Sequence, residues 1–133
     1  MSAEIFFDTN VLLYLLSDDA TKAGRAEALL AEGGTISVQV LNEFASVCRR
    51  KLGLQLADVC EFVDTFRAVC VVVPVDLPLH EDGVAIAYRH NISVYDGLIV
   101  AAALRAGCRT LFTEDLNHGQ CVEALVIVNP FTP

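Results

Sequence analysis

Apolar and polar positions alternate along the chain in two rhythms. Short runs rich in apolar and β-branched residues read as strands: Ile5 to Phe7, Thr35 to Val38, Val69 to Val73, Arg109 to Thr113 and Leu125 to Val128. Longer segments with helical spacing lie between them: Val11 to Leu16, Thr21 to Glu32, Leu56 to Ala68 and Leu79 to His90. Gly33-Gly34 ends the second of these, and Pro74 and Pro78 are expected to bracket a turn. A further helix carries Val40, Leu41, Phe44, Val47 and Cys48, the i, i+1, i+4, i+7, i+8 pattern of one buried face, and stops at Gly53. Glu43 falls just beside that face, and Arg50 lies on the same side seven residues on. Val94 to Ala106 is apolar on nearly all sides and predicts a buried helix. The β-branched run Val69 to Val73 predicts a strand buried on both faces.

Strands alternating with helices predict an α/β fold: a mainly parallel central sheet of about five short strands, with helices on both faces in three layers. With 133 residues, one domain spanning residues 1–133 is expected. In such sheets the functional crevice lies beyond the carboxyl ends of the strands. Asp8 and Asp115 both immediately follow predicted strands.

Charge narrows the chemistry. The formal net charge of −8 argues against bulk attraction to nucleic acid or to anionic membranes. It leaves room for local, metal-dependent attraction to phosphate: taking Asp8, Glu43, Asp96 and Asp115 out of the count of −8 leaves −4. The five cysteines have no C-x-x-C spacing and read as buried, reduced thiols, so neither a disulfide framework nor a zinc site is expected. No stretch is long and apolar enough to span a membrane. Met1-Ser2-Ala3-Glu4 shows no secretory pattern, so a cytoplasmic protein is expected.

Each of the four acids has an ordinary structural explanation. Asp8-Thr9-Asn10 offers three helix caps, and Ser93 with Asp96 resembles a capping box. Asp115 suits a turn, and Glu43 suits a solvated helix face. Assembled together, carboxylates repel one another unless a cation joins them. Oxygen-only ligands suit Mg²⁺ or Mn²⁺. Thr113 and Asn117 are candidates to support such a site, and Arg50 is the best-placed phosphate contact. Glu114 should point away from Asp115, and His80, His90 and His118 form no ligand pair.

Four segments in this order resemble the PIN-domain ribonucleases, in particular the VapC-type toxins of toxin–antitoxin pairs. They are Phe6-Phe7-Asp8-Thr9-Asn10-Val11-Leu12, Ser37-Val38-Gln39-Val40-Leu41-Asn42-Glu43-Phe44, Tyr95-Asp96-Gly97-Leu98-Ile99-Val100-Ala101-Ala102-Ala103 and Phe112-Thr113-Glu114-Asp115-Leu116-Asn117-His118-Gly119-Gln120. The resemblance places the family's invariant acids on Asp8, Glu43 and Asp96, its less uniform fourth acid on Asp115, and its small polar residue on Thr9. Gly97 departs from it, since Ala is more usual there. It implies a Mg²⁺- or Mn²⁺-dependent endoribonuclease that cleaves RNA with activated water, with Asp8, Asp96 and Asp115 binding metal and Glu43 binding metal or orienting the water. It further implies a homodimer and a cognate antitoxin protein. Two other classes remain open: a metal-dependent phosphatase or phosphotransferase, and a non-catalytic PIN-like binding module. The first commonly wants an Asp two residues after the first acid or a late Lys; here Asn10 stands at that position and no Lys follows Lys51.

Overall fold

A computed structural model describes residues 4–132. The reading of Met1-Ser2-Ala3 as lacking a secretory pattern lies outside the described residues. Among those described, strands β1 (Ile5–Phe7), β2 (Gly34–Ser37), β3 (Cys70–Val73), β4 (Thr110–Phe112), β5 (Cys121–Val122) and β6 (Leu125–Val128) form one sheet in the order β3-β2-β1-β4-β6-β5. All pairings are parallel except the β5–β6 hairpin. The helices are α1 (Thr9–Leu13), continued by a 3₁₀ turn (Tyr14–Leu16), α2 (Ala20–Ala31), α3 (Val38–Arg50), α4 (Leu56–Val69), α5 (Leu77–His90) and α6 (Val94–Arg105). None of them is long and apolar enough to cross a membrane.

The strand order explains the layers. The chain runs outward from β1 to β2 to β3, then returns past β1 to lay β4 on its other side. Right-handed crossovers place the helices of the outward and return legs on opposite faces of the sheet. Accordingly α1 to α4 contact one another, whereas α5 and α6 pack together and α6 lies against β2 and β6. The result is an α/β/α sandwich whose direction of travel reverses between β1 and β4, the place where such sheets open a crevice. Phe6, Ile36, Leu111 and Ile127 are fully buried at the sheet centre. Phe44 packs its ring edge-on against Phe66 at 4.8 Å, fixing α3 against α4.

Several expectations change in detail. The sheet has six strands rather than five, because Cys121–Val122 folds back on β6 as a two-residue strand too short to show a pattern. β3 is an edge strand, not one buried on both faces, and Val71 stays 48% exposed. Val69 closes α4 instead of opening β3, and Val38 opens α3 instead of closing β2. Pro78 sits inside the first turn of α5 rather than in a bracketed turn, where its missing N–H removes no helical hydrogen bond. Cys48, Cys70 and Cys108 are buried, but Cys60 and Cys121 are exposed; all five are unbridged thiols.

Gly97 has a clear structural reason. A Cβ there would lie 2.3 Å from the carbonyl oxygen of Gly83. A Cβ on Gly83 would in turn lie 2.7 Å from Leu98. The α5–α6 crossing is therefore a backbone-to-backbone contact at the turn that carries Asp96.

Candidate metal centre

The site grows from the β1 end. Asp8 is the first residue beyond β1 and caps α1: Thr9 N–H donates to its Oδ1 at 2.7 Å. Its own N–H donates to the Phe112 carbonyl at 3.0 Å, which prolongs the β1–β4 ladder by one step. The Thr113 hydroxyl, just beyond β4, donates to Asp8 Oδ2 at 2.8 Å. That hydroxyl oxygen also accepts from Asn10 Nδ2 and from the Asp115 N–H, each at 3.1 Å. One buried threonine thus ties together the ends of two neighbouring strands.

Asp96 arrives from the opposite layer. It sits in the first turn of α6, its N–H donating to the capping Ser93 Oγ at 3.0 Å. Asp115 arrives from the bends after β4 and is exposed. Asp8, Asp96 and Asp115 each present a carboxylate oxygen within 4.8 Å of the others. Glu43 stands outside that trio but close to it. Its Oε2 accepts from Thr9 Oγ1 and its Oε1 from Gln39 Nε2, both at 2.8 Å. The same Gln39 amide donates to the Tyr95 carbonyl at 3.2 Å, linking α3 to the start of α6.

Electrostatics follow from this crowding. Burial pushes the Asp8 carboxyl up to about 7, against the hydrogen bonds from Thr113 and Thr9 and with help from the charges of Asp115 and Glu43. Burial likewise raises Asp96, and the Asp115 and Glu43 charges raise it further, while Ser93 opposes the shift. None of these carboxylates forms an ion pair among the described residues. Three oxygen ligands from three separate elements, short of positive charge, fit a hard divalent cation.

Other expected residues divide. Arg50 lines a cleft of about 330 Å³ together with Asp8, Glu43 and Asp115, and forms no ion pair among the described residues. Glu114 points away as expected, accepting from the Tyr14 hydroxyl at 2.9 Å. Asn117 is exposed, and among the described residues it contributes only its backbone carbonyl, to Gln120 N–H at 3.1 Å, so its side chain is not tied to the acids. His118 Nδ1 accepts from the Asn129 N–H at 3.0 Å, a loop-holding role. Two contributors escaped the sequence reading. Gln39 was available from its i, i+4 spacing to Glu43. Asn10 had no signal, since its partner Thr113 lies 103 residues away.

Known structures share this architecture. A toxin–antitoxin complex from Klebsiella pneumoniae superposes with a TM-score of 0.73 at 19% identity, covering 96% of this chain and 98% of that one. VapC20 from Mycobacterium tuberculosis, a sarcin-ricin loop cleaving toxin, gives 0.68 at 23% identity, over 84% of this chain and 91% of its own. FitAcB from Neisseria gonorrhoeae gives 0.66 at 21% identity, over 95% and 97%. No curated protein sequence matches the chain. The family model of the PIN domain matches residues 5–120, a span that opens with β1 and contains all four acids, and the chain belongs to the PIN domain family.

Proposed function

We propose that the chain is a Mg²⁺- or Mn²⁺-dependent endoribonuclease, the toxin of a toxin–antitoxin pair. The observation that carries this reading is the convergence of Asp8, Asp96 and Asp115, from β1, α6 and the bends after β4, with oxygens within 4.8 Å of one another. A divalent ion held there would supply Lewis acidity, lowering the pKa of water so that hydroxide is available near neutral pH, and would offset charge on the phosphate oxygens. The chain's residues do the rest. Asp8, Asp96 and Asp115 hold the ion. Thr113 and the Thr9 N–H keep Asp8 aimed. Glu43, held by Thr9 and Gln39, accepts a proton from the attacking water as the P–O3′ bond breaks, and the departing 3′-oxygen takes its proton from solvent. Arg50, at the cleft wall and without an ion pair among the described residues, holds a substrate phosphate.

The toxin role is supported by the shared fold of toxins and toxin–antitoxin complexes, two of which were solved with DNA. A cognate antitoxin, a homodimer and a cytoplasmic setting belong to the same proposal. Structured RNA incubated with the protein and Mg²⁺ or Mn²⁺ tests it. Fragments with 5′-phosphate and 3′-hydroxyl ends are expected, absent with chelator and absent for Asp8→Asn. Fragments ending in 2′,3′-cyclic phosphate, or cleavage unaffected by chelator, overturn it.

A further inference from the structure

Helix α3 carries a polar stripe beside its buried one. Gln39, Asn42, Glu43, Ser46 and Arg50 recur at i, i+3, i+4, i+7 and i+11, so they run along one face for roughly 16 Å. Two clefts open onto this stripe. One holds the acids and Arg50. The other, about 340 Å³, is lined by Gln39, Asn42, Glu43, Ser46, Val75 and Tyr95. Glu43 and Ser46 line both, so the clefts meet along the helix.

The second cleft contains groups with nothing to do in the free chain. Tyr95, the residue before Asp96, keeps 68% of its surface exposed, and its ring meets no other aromatic ring among the described residues. Asn42 and Ser46 are exposed and make no side-chain hydrogen bond among the described residues. No Lys or Arg lines this cleft, and Glu43 forms part of its wall, so it repels a phosphate. It suits a flat, neutral group that has both donors and acceptors on its edge.

We propose that this second cleft is a nucleobase subsite for the nucleotide flanking the scissile phosphate. Tyr95 stacks on the base, and the Asn42 amide, with Ser46 beside it, reads the base edge. The inference rests on the ribonuclease reading, which puts a phosphate at the acids and a second one at Arg50. The strand then leaves the acids in the other direction, over Glu43 toward Tyr95. Single-stranded RNA is recognised through splayed bases that stack on aromatic rings and hydrogen-bond along their edges. A carboxamide offers a paired donor and acceptor, the complement of such an edge. Stacking accepts any base, so Tyr95 supplies affinity and Asn42 supplies choice.

The test compares the wild type with Asn42→Ala, Tyr95→Ala and Tyr95→Phe on a randomised single-stranded RNA pool with Mg²⁺, mapping cut sites by sequencing. Wild type is expected to prefer one base beside the cut, and Asn42→Ala to flatten that preference. Tyr95→Ala is expected to raise KM by about tenfold or more, with the loss on KM rather than kcat, and Tyr95→Phe to restore it. A second arm measures binding of labelled single-stranded RNA in the Asp8→Asn background, with and without Tyr95→Ala. If no RNA is cut by the wild type but Tyr95→Ala still weakens binding tenfold, the subsite stands and the ribonuclease reading falls. If RNA is cut and neither preference nor affinity changes in the variants, the subsite falls alone. Loss of a dimer on Tyr95→Ala in sedimentation assigns the ring to contact between copies and also overturns the subsite.

Discussion

Asp8 and Asp115 succeed neighbouring strands at the same edge of the sheet, yet they are built in opposite ways. Asp8 is buried at the N-terminus of α1, and both its oxygens accept hydrogen bonds. Asp115 is exposed, and among the described residues its carboxylate accepts none; only its N–H is tied down, to Thr113. The difference arises in the chain just beyond each strand. A helix begins at once after β1 with Asp8 as its N-cap, whereas β4 runs into bends. One carboxylate is preorganised at the expense of its charge, and the other is left free to adjust to an ion.

The contrast can be broken or sharpened in three ways. The largest effect is expected from Asp8→Asn. Its amide nitrogen must face either the Thr9 N–H or a Thr113 oxygen that already accepts two hydrogen bonds. Cleavage should fall by about a thousandfold, several kcal/mol of transition-state stabilisation, while Asp115→Asn loses about tenfold and recovers at high Mn²⁺. Equal losses that no metal concentration recovers would show the two acids to be equivalent. Next comes Thr113→Val, which strips support from both acids at once. Metal affinity by titration calorimetry should drop by about 10–100-fold, as when other groups that orient metal ligands are removed. An unchanged affinity would mean Thr113 only holds the loop.

The smallest effect concerns pH. Asp8 titrates near 3.8 when unfolded and near 7 when folded without metal, because burial disfavours its charge. Its folded form therefore binds the extra proton between those values. The stability this contributes is present below about pH 4 and is lost as pH rises toward 7. Asp96 is raised too, so it acts in the same direction. The melting temperature in chelator should fall from pH 5 to pH 8, and a divalent ion should reverse that slope. A slope undiminished in Asp8→Asn would assign it to other groups.

Much of this site is legible in the sequence. Asp8 and Asp115 announce themselves because strand ends in a parallel sheet converge, and Asp96 because a first-turn acid opens an almost wholly apolar helix. The hidden part depends on contacts distant in sequence or on residues without periodicity. Asn10 looks like a spare cap until Thr113 is placed above it. The exposure of Val71 comes from strand order alone, since an edge strand and a central one carry the same β-branched run. Asn117, next but one to Asp115, looks equally placed in the sequence, but the bends turn its side chain to solvent.

The contact between Gly83 and Gly97 sets how stiff this centre is. Where α5 meets α6 the Gly97 backbone lies against the Gly83 carbonyl, with the Ala87 methyl and the Leu98 side chain packed beside them, so little room is left to yield. Hydrostatic pressure or repacking of neighbouring methyl groups should leave the height of Asp96 above the sheet nearly constant. The compliance of the centre is then concentrated in the bends that bear Asp115, the side from which the proposed site would adjust to ions of different radius.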